Sequence, residues 1–404
     1  MIVIPDLGKL PIKAWVKNKE EIDDNCLEQA INLSSLPFAF KHIALMPDTH
    51  MGYGMPIGGI LATENVIIPN AVGVDIGCGM SFTLFDLTLD KIDKVITNDK
   101  QPLILAILAN IKRNIPVGFA HHKEAQDWSR FNSAPLDCPP VAEQLEKSRY
   151  QLGTLGGGNH FIELQIEPKT NKLAIMLHSG SRNFGKQICD YYSKLAEMLN
   201  DRWHTNVPKE HQLSFLPLDD ESGVSYYKAM NFALDFAEEN RHIMMERCVN
   251  IFINMVKKYT GIDNIKIELQ VNAHHNYATI ENHFGRNVMV HRKGAIRARK
   301  DDWGIIPGSM GTASYIVRGL GNRDSFCSAS HGAGRIMGRK EAERKFTQQA
   351  VVEDMKSRGI KVLAEGSYVD ECPWAYKNID EVIDNEKDLV TPIIKLTQLG
   401  VIKG

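Results

Sequence analysis

The chain has 404 residues, 43% hydrophobic and 24% charged, a balance that fits a folded globular protein and excludes general disorder. A formal net charge of -2 excludes the broad basic field of a nonspecific nucleic-acid binder, so any nucleic-acid site has to be a local groove. Seven scattered cysteines with no CxxC pair argue against a disulfide framework or a zinc ribbon, and with no signal-like start and no run of eighteen apolar residues the expected setting is a reducing, cytoplasmic one without a membrane partner.

Taken in order, the chain opens with a short strand and a polar helix over 19–32 that Pro37 ends. Short apolar runs between glycine turns then predict strands over 43–46, 57–61, 66–68, 72–76 and 81–87. A helix is expected over 103–111, followed by a loop-like insertion, 118–140, that carries His121, His122, Lys123 and Trp128. A glycine loop from Gly153 runs into a strand near Phe161, and 173–177 reads as the next strand, ending at His178. The polar stretch 203–223 reads as a surface connection. From 225 to 259 an apolar face recurs at three-to-four spacing through Met230, Leu234, Ala237, Met244, Cys248, Ile251 and Met255, which predicts a long core-facing helix ended by Gly261. Strands resume at 265–271, 288–290 and 316–317, and a last helix is expected over 335–355. No repeat or linker divides the sequence, so the expectation is one large α+β domain over 1–404, a strand-rich core with flanking helices.

The chemistry centres on residues 70–80, where Asp75 and Cys78 stand three apart among three glycines. A carboxylate and a thiol together suit a transition metal better than magnesium or calcium, and a thiolate can bridge two ions. Of fourteen histidines, His50, His160, His178, His274, His275 and His331 lie in tight glycine, serine or asparagine contexts. Each alone reads as a hydrogen-bonded structural histidine; together with Asp75 and Cys78 they supply the donors of a dinuclear site if the fold gathers them. Three turns, 156–158, 307–311 and 332–334, have amides suited to anions, and the last is expected to open a helix. An imidazole at its head, His331, can act as general acid, metal ligand or nucleophile toward phosphate. Arg182, Arg292, Lys293, Arg297, Arg299, Lys300, Arg335 and Arg339 offer a phosphate-tracking groove, against the plainer reading of a solvated face.

The segments KHIALMPDTHMGYG, AVGVDIGCGM, GTLGGGNHFIEL, LHSGSR, NAHHNY, RKGAIRA, IIPGSMG and FCSASHGAGR, with Lys403-Gly404, resemble the RtcB family of RNA-splicing ligases nearly end to end. The resemblance implies an RtcB-like fold and an RNA ligase that uses GTP and two Mn2+ ions to join 2′,3′-cyclic phosphate or 3′-phosphate RNA ends to 5′-hydroxyl ends through a histidine-GMP intermediate, in RNA repair or tRNA splicing. It implies His331 as the nucleophile; Asp75, Cys78, His160, His178 and His275 as metal ligands, with His274 an adjacent alternative; and Asn159, Phe161, Glu163, Ser309, Ser314, Ala333, Gly334, Tyr376 and Lys403 as guanine-nucleotide contacts. Asp48, His50 and Arg182 match further active-site positions. Residues 49–59 look closer to a bacterial paralogue linked with a release-factor-like protein and ribosomal RNA repair, and an archease-like activator is a further partner the family suggests. Two other readings stay open: a metal-dependent phosphodiesterase that only opens cyclic phosphates, and a non-catalytic RNA-binding subunit.

Overall fold

The strand ends that carry the polar motifs are gathered by two sheets. The computed structural model describes residues 1–5 and 7–404. One sheet has six strands in the order Ile2–Ile4, Ile12–Ala14, Ala39–His50, Ile57–Thr63, Arg286–Lys293 and Asn276–His283. The other runs Ile267–His274, Gly79–Thr88, Lys172–Ser179, Phe161–Glu167, Val390–Lys403, Ser314–Gly319 and Trp303–Ile306, with Lys361–Ala364 added in parallel along Val390–Lys403. The fold is α+β, as the sequence pattern predicts. None of the helices of the described residues is long and apolar enough to cross a membrane.

The helix Glu221–Thr260 is 40 residues long. Asp220 caps it by accepting from the Ser222 amide, and Gly261, at φ 77°, lets the chain leave in the left-handed region. Its first half packs Tyr226, Met230, Ala233 and Phe236 against Phe184, Ile188 and Tyr192 of the helix Arg182–Arg202. Its second half lays Met244, Cys248 and Phe252 on Phe85, Ile175 and Leu177 of the second sheet, with the Phe85 and Phe252 rings stacked at 4.5 Å. The methionines pack, as their spacing predicts. Burying each such side chain contributes roughly 1.5–3 kcal/mol, so this interface anchors the sheet on the helix.

Several expectations change. Residues 72–76 form no strand: Pro69 starts a short helix, Pro69–Val72, and Gly73 and Gly77, at φ 100° and 72°, turn the chain until the strand begins at Gly79. The helix expected over 335–355 is two, Arg339–Lys345 and Gln348–Ser357, because Phe346 is extended and the Thr347 side chain caps the second by accepting from the Ala350 amide. The turn 332–334 therefore opens no helix. Within the insertion, Ser129–Ser133 is a 3-10 turn and a helix, Pro139–Gln151, begins at its end. The periodicity reading also missed the helix Arg182–Arg202 and the long strand Val390–Lys403.

Candidate active site

Register brings the donors together. Gly79 pairs with Ser179 on one side and His274 on the other, and Phe161 pairs with His178. Cys78, His160, His178 and His275 therefore fall at one end of four neighbouring strands, and the His275 amide donates to the Cys78 carbonyl at 2.8 Å. A slip of one residue in any of these pairings would turn a ligand to the opposite face.

The side chains form a continuous chain of contacts. Asp75 Oδ2 lies 3.0 Å from His160 Nε2, which lies 3.5 Å from Cys78 Sγ. On the other side Cys78 Sγ is 3.1 Å from His178 Nε2, and that atom is 3.3 Å from His275 Nε2. Two triads thus share the thiol: Asp75, Cys78 and His160, then Cys78, His178 and His275. The adjacent histidine is resolved by geometry, since His274 turns away toward Arg241 and Glu238.

This donor set fits metal ions. His160 Nδ1 donates to the Leu155 carbonyl at 2.9 Å and His178 Nδ1 to the Asn159 carbonyl at 3.1 Å, which leaves both Nε2 atoms as lone pairs directed at the cluster. Imidazole nitrogens, a carboxylate and a thiol are thus crowded at about hydrogen-bond distance from one another, the arrangement a cation relieves. Burial drives the His178 and His275 pKa values well below the usual histidine range, so both stay neutral, the ligating form. Burial raises the carboxyl pKa of Asp75, but its contacts with His160 and Cys78 and the charge of Arg182 more than offset this and take it down to about 2. Burial, reinforced by the neighbouring Asp75, pushes the Cys78 thiol well above its ordinary value. An ion entering here has to expel that proton.

His331 stands beside the cluster, its ring 4.8 Å from that of His275. Its Nδ1 is 2.7 Å from Asp48 Oδ2, which also accepts from the amides of His331 and Gly332. Burial raises the Asp48 pKa, but the interaction with His331 and the nearby His50 and Lys377 outweighs that and holds the carboxyl below its usual range. Of the turn 332–334 expected to cradle phosphate, the Gly332 amide is thus directed at an internal carboxylate. With Nδ1–H held by Asp48, His331 presents Nε2 as a lone pair. His50 lies near by, its Nδ1 donating to the Asp48 carbonyl and its pKa lowered to about 4, mainly by burial.

A cleft opens from His331 and His178. Asn159, Phe161, Glu163, Ser309, Ala333, Gly334, Tyr376 and Lys403 all line it, whereas Ser314 lies behind the wall with its hydroxyl accepting from the Gly308 amide and from Gln165 Nε2. Glu163 is buried and accepts from Gln165 Nε2 at 2.6 Å; burial lifts its pKa to about 7. On the far wall the buried Glu371, which the motifs did not single out, accepts from Tyr376 Oη at 2.6 Å and pairs with Lys403, Arg335 and Arg339 at 3.2–3.3 Å. A second cleft on the Asp75 side is lined by Asp75, Phe119, His121, Arg182 and Lys186. The extended basic groove does not form: Arg292 is fully buried against Glu281, and Lys293 is buried and donates to the carbonyls of Tyr53 and Asn70.

Sequence reading also missed the pair Asn240-Arg241 of the long helix, both fully buried beneath the cluster. The signal was available, since two polar residues interrupt the apolar face between Ala237 and Met244.

A buried group of imidazole and thiol donors at the ends of adjacent strands, with the half-buried Asp75 at its edge and a cleft headed by a carboxylate-oriented histidine beside it, defines a protein able to hold metal there. The family model described as tRNA-splicing ligase RtcB matches residues 29–137 and 132–404. The chain is 37% identical to the RNA-splicing ligase RtcB of Escherichia coli strain K12, over 98% of this chain and 97% of that protein. It is 32% identical to the tRNA-splicing ligase RtcB of Pyrobaculum aerophilum, over 98% and 95% of the two chains, and 30% identical to the RNA-splicing ligase RtcB of Mycobacterium tuberculosis strain H37Rv, over 93% and 100%. The chain belongs to the RtcB family.

Proposed function

We propose that the protein is an RNA ligase that uses GTP and Mn2+ to join RNA 3′-phosphate ends, or 2′,3′-cyclic phosphate ends after their hydrolysis, to 5′-hydroxyl ends. The observation that carries this reading is His331: a histidine oriented by a buried carboxylate, beside the donor cluster and at the head of a cleft lined by eight of the nine nucleotide-contact residues expected from the sequence.

Asp75, Cys78, His160, His178 and His275 would hold two ions, with the Cys78 thiolate shared between them. Bound there, the ions supply Lewis-acid stabilisation of charge on phosphoryl oxygens. The remaining work falls to the chain. Asp48 keeps the proton on His331 Nδ1, so that Nε2 attacks the α-phosphorus of GTP, forming a P–N bond and releasing pyrophosphate. Asp48 then balances the charge on the substituted imidazole. The guanylyl group passes to the RNA 3′-phosphate, breaking the P–N bond and making a mixed anhydride. The 5′-hydroxyl attacks the RNA phosphorus of that anhydride, its proton is lost, and GMP leaves. A phosphate monoester alone offers no comparable leaving group, which is why the sequence needs GTP.

In the cleft, Glu163 accepts guanine N–H groups, with Gln165 and Gln398 holding its carboxylate in place. Lys403 and Tyr376 exchange part of their hold on Glu371 for the nucleotide. Arg182 and Lys186 line the approach for an RNA end.

The test is labelling. Incubation with Mn2+ and α-labelled GTP is expected to give a covalent, acid-labile protein–GMP adduct that is absent in His331→Ala. Label persisting in that variant would overturn the nucleophile assignment. Cyclic-phosphate opening without GTP, joined to no ligation under any condition, would favour the phosphodiesterase reading instead.

A further inference from the structure

The long helix does more than pack. Arg241, fully buried at its middle, forms no ion pair among the described residues. Its donors go instead to Gly77 O at 2.7 Å, Ser179 O at 3.1 Å, Asn272 Oδ1 at 2.8 Å and His274 Nδ1 at 3.1 Å. Guanidinium nitrogens only donate, so toward Arg241 the His274 Nδ1 is the acceptor, with the Gly77 carbonyl 3.2 Å from the same nitrogen, while Nε2 faces Glu238. Each acceptor lies next to, or within three residues of, a ligand of the cluster: Gly77 precedes Cys78, Ser179 follows His178, and Asn272 and His274 precede His275. One planar group therefore ties three ligand-bearing segments together.

Asn240 ties the fourth. Its Oδ1 accepts from the amides of Gly153 and Thr154 at 2.7 and 3.1 Å, and its Nδ2 donates to Thr154 O, Ser179 Oγ and Gly180 O. Ser179 Oγ in turn donates to Leu155 O, the carbonyl that orients His160. The close approach of this helix also accounts for two glycines of the Asp75–Met80 stretch. A Cβ at Gly77 would lie 2.8 Å from the Ala237 Cβ, and one at Gly79 would lie 3.0 Å from the Arg241 Cζ and 2.4 Å from the Ala273 carbonyl oxygen.

Burying a cation without an anionic partner is unfavourable unless something else returns the cost. Cys78 and Asp75, the two donors of the cluster able to carry negative charge, are near enough for their charges to favour the cation. We propose that Arg241, supported by Asn240, is a positioning residue for the metal pair: it sets the spacing of the three strand ends and places a fixed positive charge behind the Cys78 thiolate. A lysine carries the charge but not the fork, and a methionine fills the space with neither.

The proposal rests on the two-metal reading of the cluster, and the measurement separates the two. The full-length protein is stripped with chelator and titrated with Mn2+ by calorimetry and with Co2+ by thiolate-to-cobalt charge-transfer absorbance, at a temperature where circular dichroism shows each variant folded. Arg241→Met is expected to raise the Mn2+ dissociation constant about 10- to 100-fold, the usual range for an outer partner of metal ligands, and to weaken the thiolate band. Arg241→Lys should fall between it and the unaltered protein. Asn272→Ala, at an exposed position, removes one acceptor and should weaken binding several-fold; it and Arg241→Lys decide the matter if Arg241→Met does not fold. Lowered thermal stability with unchanged metal affinity and an unchanged cobalt spectrum in the folded variants would make Arg241 a packing residue and overturn the proposal. Failure of the unaltered protein to bind either metal would instead overturn the cluster reading on which it stands.

Discussion

The two walls of the site solve opposite electrostatic problems. Around Cys78 the groups that face one another are lone pairs, a carboxylate and a thiol, with the nearest cations held behind the backbone or at the rim. Around Glu371 every charge has a partner within the wall, where one carboxylate meets Lys403, Arg335, Arg339 and the Tyr376 hydroxyl and Asp370 takes Arg339 as well, so that cations are in excess. The first wall is complete only with an added cation; the second is complete alone and can trade an internal partner for a polar ligand. The construction differs as well. The first wall is made by strand register between neighbours, the second by segments at 307–310, 331–335, 371–376 and 401–403 that meet only in the tertiary fold.

The comparison can be broken most severely at its shared atoms. Cys78→Ser is expected to abolish stoichiometric Mn2+ binding and to lower ligation by roughly 10³-fold or more, measured by calorimetry and single-turnover ligation, since a hydroxyl gives up its proton far less readily than a thiol and, left neutral, is a poor bridge between two ions. Next, Asp48→Asn removes the carboxylate that sets the His331 tautomer. The rate of adduct formation should fall by about 10²- to 10⁴-fold while the metal dissociation constant stays within twofold, read by label incorporation and titration.

Acidity sharpens the contrast between the walls. The histidine ligands His178 and His275 are already neutral near neutral pH, and Asp75 is ionised, so the proton expelled by metal entry comes from Cys78, whose thiol is raised. Mn2+ affinity should therefore increase with pH, by about tenfold per unit for one released proton, in competition with a chelator of known proton dependence. On the second wall the sign follows from Glu163. Its folded pKa is raised to about 7, so the carboxylate proposed to accept from guanine is lost as pH falls through that value. GTP affinity should drop there by roughly tenfold at most, and Glu163→Gln should give weak binding with no such pH dependence, both by equilibrium titration.

How much of this was legible follows from where each partner sits in the chain. Asp75 and Cys78 are close in sequence and bounded by glycine, so their site could be read directly, although the same glycines turned the expected strand into a helix end and a turn. His274 and His275 could not be told apart, because adjacent residues of an extended segment point to opposite sides and only the pairing of 267–274 with 79–88 fixes which side is the cluster. Ser314 was grouped with the cleft by the family resemblance, yet its neighbours in space place its hydroxyl behind the wall. Asp48 is 283 residues from His331, and Arg241 is 164 from Gly77. No periodicity or spacing argument spans such distances.

By itself the sequence determined the α+β class, the long helix with its apolar face, and the set of residue types able to ligate metal and carry a phosphoryl group. These are local properties: the period of burial, the conformational freedom of glycine, and the chemistry of single side chains. Only the tertiary structure decided which histidine faces which, that the His331 and Gly332 amides of the SHGAGR turn go to Asp48, and that a buried arginine from the long helix holds three ligand-bearing strand ends. Those outcomes depend on strand register and helix approach, where a shift of one residue or a few ångströms reverses the result, and they are set by the packing of the whole chain.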